Sequence, residues 1–156
     1  MSTAGHRAFR VVAPPPLLFL AGVLLGAGLN AWHPLPLHAP SLVTGLGAVV
    51  ALAGVLFAMA AALTFRRAGT GLEPGTAATH LVTSGPYRWS RNPIYVGMAA
   101  VSAGLALVLN TLWILVTLAL VLLVVRHGVI RHEEHYLSQR FPDAYDAYRR
   151  RVRRWL

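Results

Sequence analysis

The sequence has no cysteine and no lysine, and only five of its 156 residues are acidic. Without cysteine there is no disulfide, no thiolate metal site and no cysteine nucleophile. Charged residues make up 12% of the chain, about half the share of an ordinary soluble domain. A surface that poor in charge does not suit a water-exposed globule. Hydrophobic residues reach 56%, and they fall into long blocks, the pattern of a chain solvated by lipid. The positive charge is all arginine, fourteen of them, for a formal net charge of +9. Such a balance can signal nucleic acid, but the arginine positions give a simpler account.

Four apolar stretches organise the chain. The first, Val11 to Trp32, opens with Pro14, Pro15 and Pro16, which suit the first turn of a helix and not its interior. His6, Arg7 and Arg10 before it leave a signal peptide as the competing reading, but no small-residue cleavage site follows Trp32. The second stretch, Leu42 to Phe65, has 24 residues, about 36 Å of helix against an apolar layer of about 30 Å. Its small residues, Gly45, Gly47, Ala51, Gly54 and Ala58, favour close helix contact. The third block, Ile94 to Val125, has 32 residues, too many for one ordinary span. Asn110 and Thr111 supply turn chemistry in its middle, and Trp113 suits an interface. Two short helices are expected there; one long tilted helix is the alternative.

The arginines obey a strict map. Arg7 and Arg10 precede the first stretch. Arg66, Arg67, Arg88 and Arg91 follow the second, and the other eight lie from Arg126 onward. The segment from Ala31 to Ser41 and the turn at Asn110 have none. This is the positive-inside pattern. It predicts an all-α integral membrane protein, one domain over 1–156. Four transmembrane helices are expected at about 16–32, 42–65, 94–109 and 112–125, with both termini, the loop 66–93 and the tail 126–156 cytoplasmic. The tail forms a helical segment that completes the site. Anionic lipid headgroups attract this face, so membrane lipids, not nucleic acid, are the expected partners. All five acidic residues and all five tyrosines fall on the same side, so polar chemistry belongs there. His33 and His38 on the other side lack an acidic partner and make a poor metal pair; no metal site is expected.

Two segments stand out. "SGPYRWSRNP", Ser84 to Pro93, has a Gly-Pro turn, two arginines suited to a carboxylate or phosphate, and Pro93 placed to start a helix. Tyr87, Trp89 and Tyr95 add aromatic faces. In the tail, His127, Arg131 and Glu134 follow at spacings of four and three, one face of a helix, with Glu133 one position round. A plain arginine–glutamate salt bridge competes with a functional role for these carboxylates. Tyr145 and Tyr148 share a face, and Arg149 to Trp155 reads as an interfacial anchor. "GTGLEPG", Gly69 to Gly75, is not a nucleotide loop: Pro74 takes the last glycine's place and no strand precedes it.

In this order, "GPYRWSRNPIYVG", an apolar hairpin, the Glu133–Glu134 pair and "FPDAYDAYRRRVRRW" resemble the isoprenylcysteine carboxyl methyltransferase family. That family sits with the phospholipid methyltransferases among integral membrane methyltransferases. The resemblance covers Thr64 to Leu156. The family's pattern falls on Leu81, Val82, Gly85, Pro86, Tyr87, Arg91, Asn92, Pro93, Tyr95 and Gly97, and its tail pattern on Glu133, Glu134, Phe141, Tyr145, Tyr148, Val152 and Arg154. Pro142 and Arg153 replace the family's glycine and proline. Asn92 stands where many members have histidine; an amide hydrogen-bonds but does not titrate.

The resemblance implies a cytoplasmic site for S-adenosyl-L-methionine. His80, Leu81, Val82, Gly85, Tyr87, Arg91, Asn92, Pro93, Tyr95, Gly97, Glu133 and Glu134 would enclose it. Arg131, Glu134 and Tyr87 are the candidates nearest the chemistry. The implied reaction is methyl transfer to a hydrophobic or amphiphilic acceptor at the interface, as in isoprenylcysteine carboxyl methylation. A phospholipid amine is the competing acceptor, and a non-catalytic lipid-binding scaffold the reading from another class. The short, arginine-biased chain suggests a bacterial inner membrane.

Overall fold

The computed structural model describes residues 13–69 and 80–156. The expectations placed on Arg7, Arg10 and Glu73 lie outside the described residues. Among the described residues six α-helices follow one another: α1, Pro15–Trp32; α2, Ser41–Arg67; α3, Pro93–Val108; α4, Leu112–Val125; α5, Arg131–Arg140; and α6, Pro142–Arg151. Among the described residues there is no strand, only an isolated bridge between Pro36 and Thr111.

Proline sets three of the helix starts. Pro15 and Pro16 open α1, one residue earlier than expected, and Pro93 and Pro142 open α3 and α6. A first-turn residue has no intrahelical partner for its N–H, so proline loses nothing there. Pro142 also ends α5, because the residue before proline avoids the helical region; Phe141 sits at φ −135°.

The expected break in the third apolar block is present. Asn110 takes φ +49°, a left-handed conformation that asparagine tolerates better than most residues. Its side-chain oxygen accepts from Ala39 N–H at 3.2 Å, and its carbonyl accepts from Leu37 N–H at 3.3 Å. Trp113 donates its indole N–H to the His33 carbonyl at 2.8 Å. The segment after α1 and the turn before α4 are thereby tied together at the arginine-free end. The apolar helices alternate in direction between that end and the arginine-bearing one.

α4 ends at Val125, the expected end of the last apolar stretch, but the helical backbone continues past it. α4 runs through one π-helical turn, Arg126–Ile130, directly into α5, giving a continuous helix Leu112–Arg140 of 29 residues. No proline interrupts it, and Gly128 alone weakens a helix without ending it. At about 43 Å this helix exceeds the apolar layer, and its polar end, α5, extends beyond the apolar stretch.

Among the described residues three helices are long and apolar enough to cross a membrane: Pro15–Trp32, Ser41–Arg67 and Leu112–Arg140. α3 is apolar but has only 16 residues. It lies along α2 at backbone contact. A Cβ on Gly104 would come within 2.5 Å of the Gly47 carbonyl, and one on Gly97 within 2.7 Å of Ala58 Cβ. Small residues are what allow such an approach in lipid. Leucines and valines on the outer faces remain exposed, among them Leu24, Leu52, Leu56 and Leu120, as a lipid-facing surface requires. The main packed cluster, Phe19, Tyr95, Val125, Val129 and Ile130, lies near the arginine-bearing end, with Trp155 against it.

Candidate functional site

The loop after α2 folds back on the end of that helix. Gly85 begins a 3₁₀ turn, Gly85–Arg88, with φ +58°. A Cβ there would also meet Thr64 Oγ1 at 2.9 Å. Glycine is thus required twice, for backbone freedom and for space. The turn buries Val82 and Tyr87 against Ala61 and Phe65, and the Tyr87 ring lies 5.7 Å from that of Phe65.

The carboxy-terminal residues strap this loop down. Arg91 N–H donates to the Arg153 carbonyl at 2.9 Å. The Asn92 amide donates to the Arg154 carbonyl at 2.9 Å, joined by Ser90 Oγ at 3.3 Å. Tyr148 O–H donates to the Tyr87 carbonyl at 2.7 Å. Asn92, expected among the residues that enclose the cofactor, therefore spends its amide donor on the chain's own tail.

One ion cluster joins loop, α5, α6 and tail. Arg154 grips Glu134 through two hydrogen bonds, at 2.9 and 2.7 Å. Arg91 reaches the same carboxylate at 3.0 Å and donates to the Tyr145 hydroxyl at 3.0 Å. Arg91 Nε is buried with no hydrogen-bond partner among the described residues, an uncommon state for a charged donor. Glu134 does not pair with Arg131, its neighbour on the helix face: it turns to the two arginines on other segments, and the Arg154 contact is the bidentate, charge-assisted kind.

The cluster opens onto a cleft of about 500 Å³, lined by Arg91, Arg131, Glu134, Tyr145, Arg149 and Arg154, with His135, Ser138 and Arg150 also facing it. That volume suits a small-molecule site. Of the expected site residues, Arg91, Arg131 and Glu134 meet there. Tyr87, Val82, Pro93, Tyr95 and Gly97 sit behind it as packing, and His80 and Leu81 lie on the approach to the turn. Tyr145, Arg149, Arg150, Arg154, His135 and Ser138 were not assigned to the site from sequence. Tyr145 and Arg154 did stand in the family's tail pattern, which was the available signal.

The adjacent glutamates part company. Glu134 faces the cleft. Glu133 makes no ion pair or hydrogen bond among the described residues, and its charge acts on Tyr87. Burial pushes the Glu133 carboxyl up to about 7, and the Glu134 charge adds to the shift. Burial, then the Glu133 charge, hold the Tyr87 phenol well above its usual range. Burial raises Tyr145 and Tyr148 too. These phenols stay protonated at neutral pH.

A family model described as phospholipid methyltransferase matches residues 42–144, well over half of the chain. The match takes in the loop, Arg91, Arg131 and both glutamates, and it ends one residue before Tyr145. The nickel-cobalt-cadmium resistance protein NccN of Alcaligenes xylosoxydans xylosoxydans is 38% identical over 78 residues, a stretch that covers 50% of this chain and 36% of that protein. The chain thus matches about a third of that relative's length.

Proposed function

We propose a reaction on two grounds: the chain belongs to the phospholipid methyltransferase family, and its loop and tail enclose one charged cleft at the arginine-bearing end of its apolar helices. The reaction is methyl transfer from S-adenosyl-L-methionine to an amphiphilic acceptor at the cytoplasmic face of a bacterial inner membrane. The observation that carries this reading is Glu134 held between Arg91 and Arg154 on the cleft wall.

The residues present fit the methyl donor. It bears a carboxylate, an ammonium and an aromatic base. Arg91 has a buried donor in want of an acceptor, and Glu133 is a carboxyl in want of a cation. Arg91 or Arg131 would take the carboxylate, and Glu133 or Glu134 the ammonium. Tyr87 and Tyr95, packed behind the cleft, hold the loop and α3 that shape it. His80, Leu81, Val82, Gly85, Asn92, Pro93 and Gly97 set the backbone around them. Bound there, the donor supplies an electrophilic methyl group on a sulfonium. In-line displacement rewards alignment above all. The chain's part is to orient both reactants and keep water out, and no covalent enzyme intermediate is needed.

In this reading α3 serves as a fourth crossing. Its 16 residues give about 24 Å, so its Pro93 end sits below the level reached by α2. That recess would let an acyl chain lie in the membrane while its headgroup meets the cleft. The family's description favours a phospholipid headgroup amine as acceptor. An isoprenylcysteine-like carboxylate is the second acceptor, on the strength of the motif resemblance.

The test is to incubate purified protein with methyl-labelled donor and a membrane lipid extract, then identify labelled products by mass spectrometry. A labelled headgroup supports the reading. No labelled lipid, together with no calorimetric binding of S-adenosylhomocysteine, rejects it in favour of a non-catalytic lipid-binding protein.

A further inference from the structure

The cleft carries more positive charge than its proposed methyl donor can use. Among the described residues five guanidinium groups face it, from Arg91, Arg131, Arg149, Arg150 and Arg154, and Glu134 is the single carboxylate. Glu134 is occupied by Arg91 and Arg154. Arg131 makes no ion pair among the described residues. Arg149 and Arg150 share the one carboxylate of Asp146. Both are well exposed, at 59% and 79%, where such pairs hold weakly. A donor with a sulfonium, an ammonium and a carboxylate is itself a net cation, so binding it deepens the excess. The compensating anion has to come with the acceptor.

We infer that Arg131, Arg149 and Arg150 form a subsite for the phosphate of a membrane lipid headgroup, at the outer wall of the cleft. The identity of the neighbouring ligand rests on the methyl-transfer reading; the subsite itself does not. Arginine suits the task, since each planar fork can span two phosphate oxygens. The location selects a lipid over a free ion. Arg131 stands on the polar extension of the same helix whose apolar part exposes Leu120, Leu123 and Val124. Acyl chains lying along that surface bring a headgroup phosphate to the level of α5. Arg149 and Arg150 lie beyond residue 144, where the family match stops, so this wall is one on which the chain can set its own headgroup preference.

The test uses the full chain in an uncharged detergent. Native mass spectrometry would measure binding of dioleoylphosphatidic acid and of dioleoylglycerol, which has the same tails and no phosphate. Calorimetry would measure S-adenosylhomocysteine and inorganic phosphate. Phosphatidic acid should bind wild type at least tenfold more tightly than dioleoylglycerol. Arg149→Gln with Arg150→Gln should remove about tenfold of that affinity, with S-adenosylhomocysteine within twofold of wild type, and Arg131→Gln should remove about threefold. Asp146→Asn should act in the opposite direction, raising phosphatidic acid affinity about threefold because both arginines are released. That gain is one a merely structural role would not produce. Equal binding of the two lipids, or unchanged affinity in the arginine variants, overturns the subsite. Inorganic phosphate binding as tightly as phosphatidic acid overturns its assignment to a lipid. If S-adenosylhomocysteine fails to bind wild type while the lipid results hold, the subsite stands and the methyl-transfer reading falls.

Discussion

Glu134→Gln removes one charge and keeps the side chain's shape, so it isolates what that charge holds together. The Glu134 side chain is 17% exposed, and its partners Arg91 and Arg154 are 14% and 33% exposed. At about 3 Å and an effective dielectric near 20, each pair has a gross attraction of about 5 kcal/mol. Desolvation offsets most of that, and a charged hydrogen bond nets about 1.5–3 kcal/mol. Three such contacts share one carboxylate and are not additive, so the expected loss is about 3 kcal/mol. At about 2–4 °C per kcal/mol for a chain of this size, the unfolding midpoint should fall by about 6–12 °C. Tryptophan fluorescence in an uncharged detergent reads this directly. A double-mutant cycle with Arg154→Gln should give a coupling of about 1.5–3 kcal/mol. Asp146→Asn, at an exposed pair, should leave the midpoint unmoved. A Glu134→Gln midpoint within about 1 °C of wild type, with no coupling to Arg154, would show that the cluster does not hold loop and tail together.

Four further outcomes are expected. The folded-state pKa of Glu133, about 7, lies above its ordinary 4.5, so folding disfavours its ionisation. Its contribution should be most favourable below about pH 4.5 and decline as pH rises to 7, by at most about 3 kcal/mol; Glu133→Gln should flatten that part of the profile, and an unchanged slope would refute the assignment. Asn92→Leu should release the tail and speed tryptic cleavage at Arg153 and Arg154 in native protein, whereas Asn92→His, which retains a donor, should stay closer to wild type; equal cleavage in all three would mean that the amide does not hold the strap. Gly104→Leu should abolish folded protein, since a Cβ alone meets the α2 backbone at 2.5 Å, and normal yield would contradict the α2–α3 contact. In this cysteine-free chain, cysteines introduced at His38 and Asn110 should label in intact cells with an impermeant reagent while one at Ser138 stays protected; labelling of Ser138 from outside would reverse the proposed orientation.

Much of the architecture follows from the sequence because lipid imposes one-dimensional rules. Apolar length reports which helices can cross, arginine placement separates the two ends, and Asn110 and Pro142 mark breaks through local backbone sterics that need no partner. At Val125 the composition changes while the backbone has no reason to stop, so the apolar stretch ends there and the helix runs on. The site is different in kind. Glu134 finds Arg154 at a separation of 20 residues, Arg91 finds Tyr145 at 54, and Asn92 finds the Arg154 carbonyl at 62. Helix spacing favoured Arg131 as the partner of Glu134, because local neighbours are all that periodicity can see. Only the folded chain brings the strap under the loop, where bidentate geometry and partial burial make distant arginines the better partners. It also decides that neighbouring glutamates differ. The rotation of about 100° between consecutive helical residues sends Glu134 to the arginines and Glu133 toward the buried tyrosines, a distinction that exists only once the packing on each side is fixed.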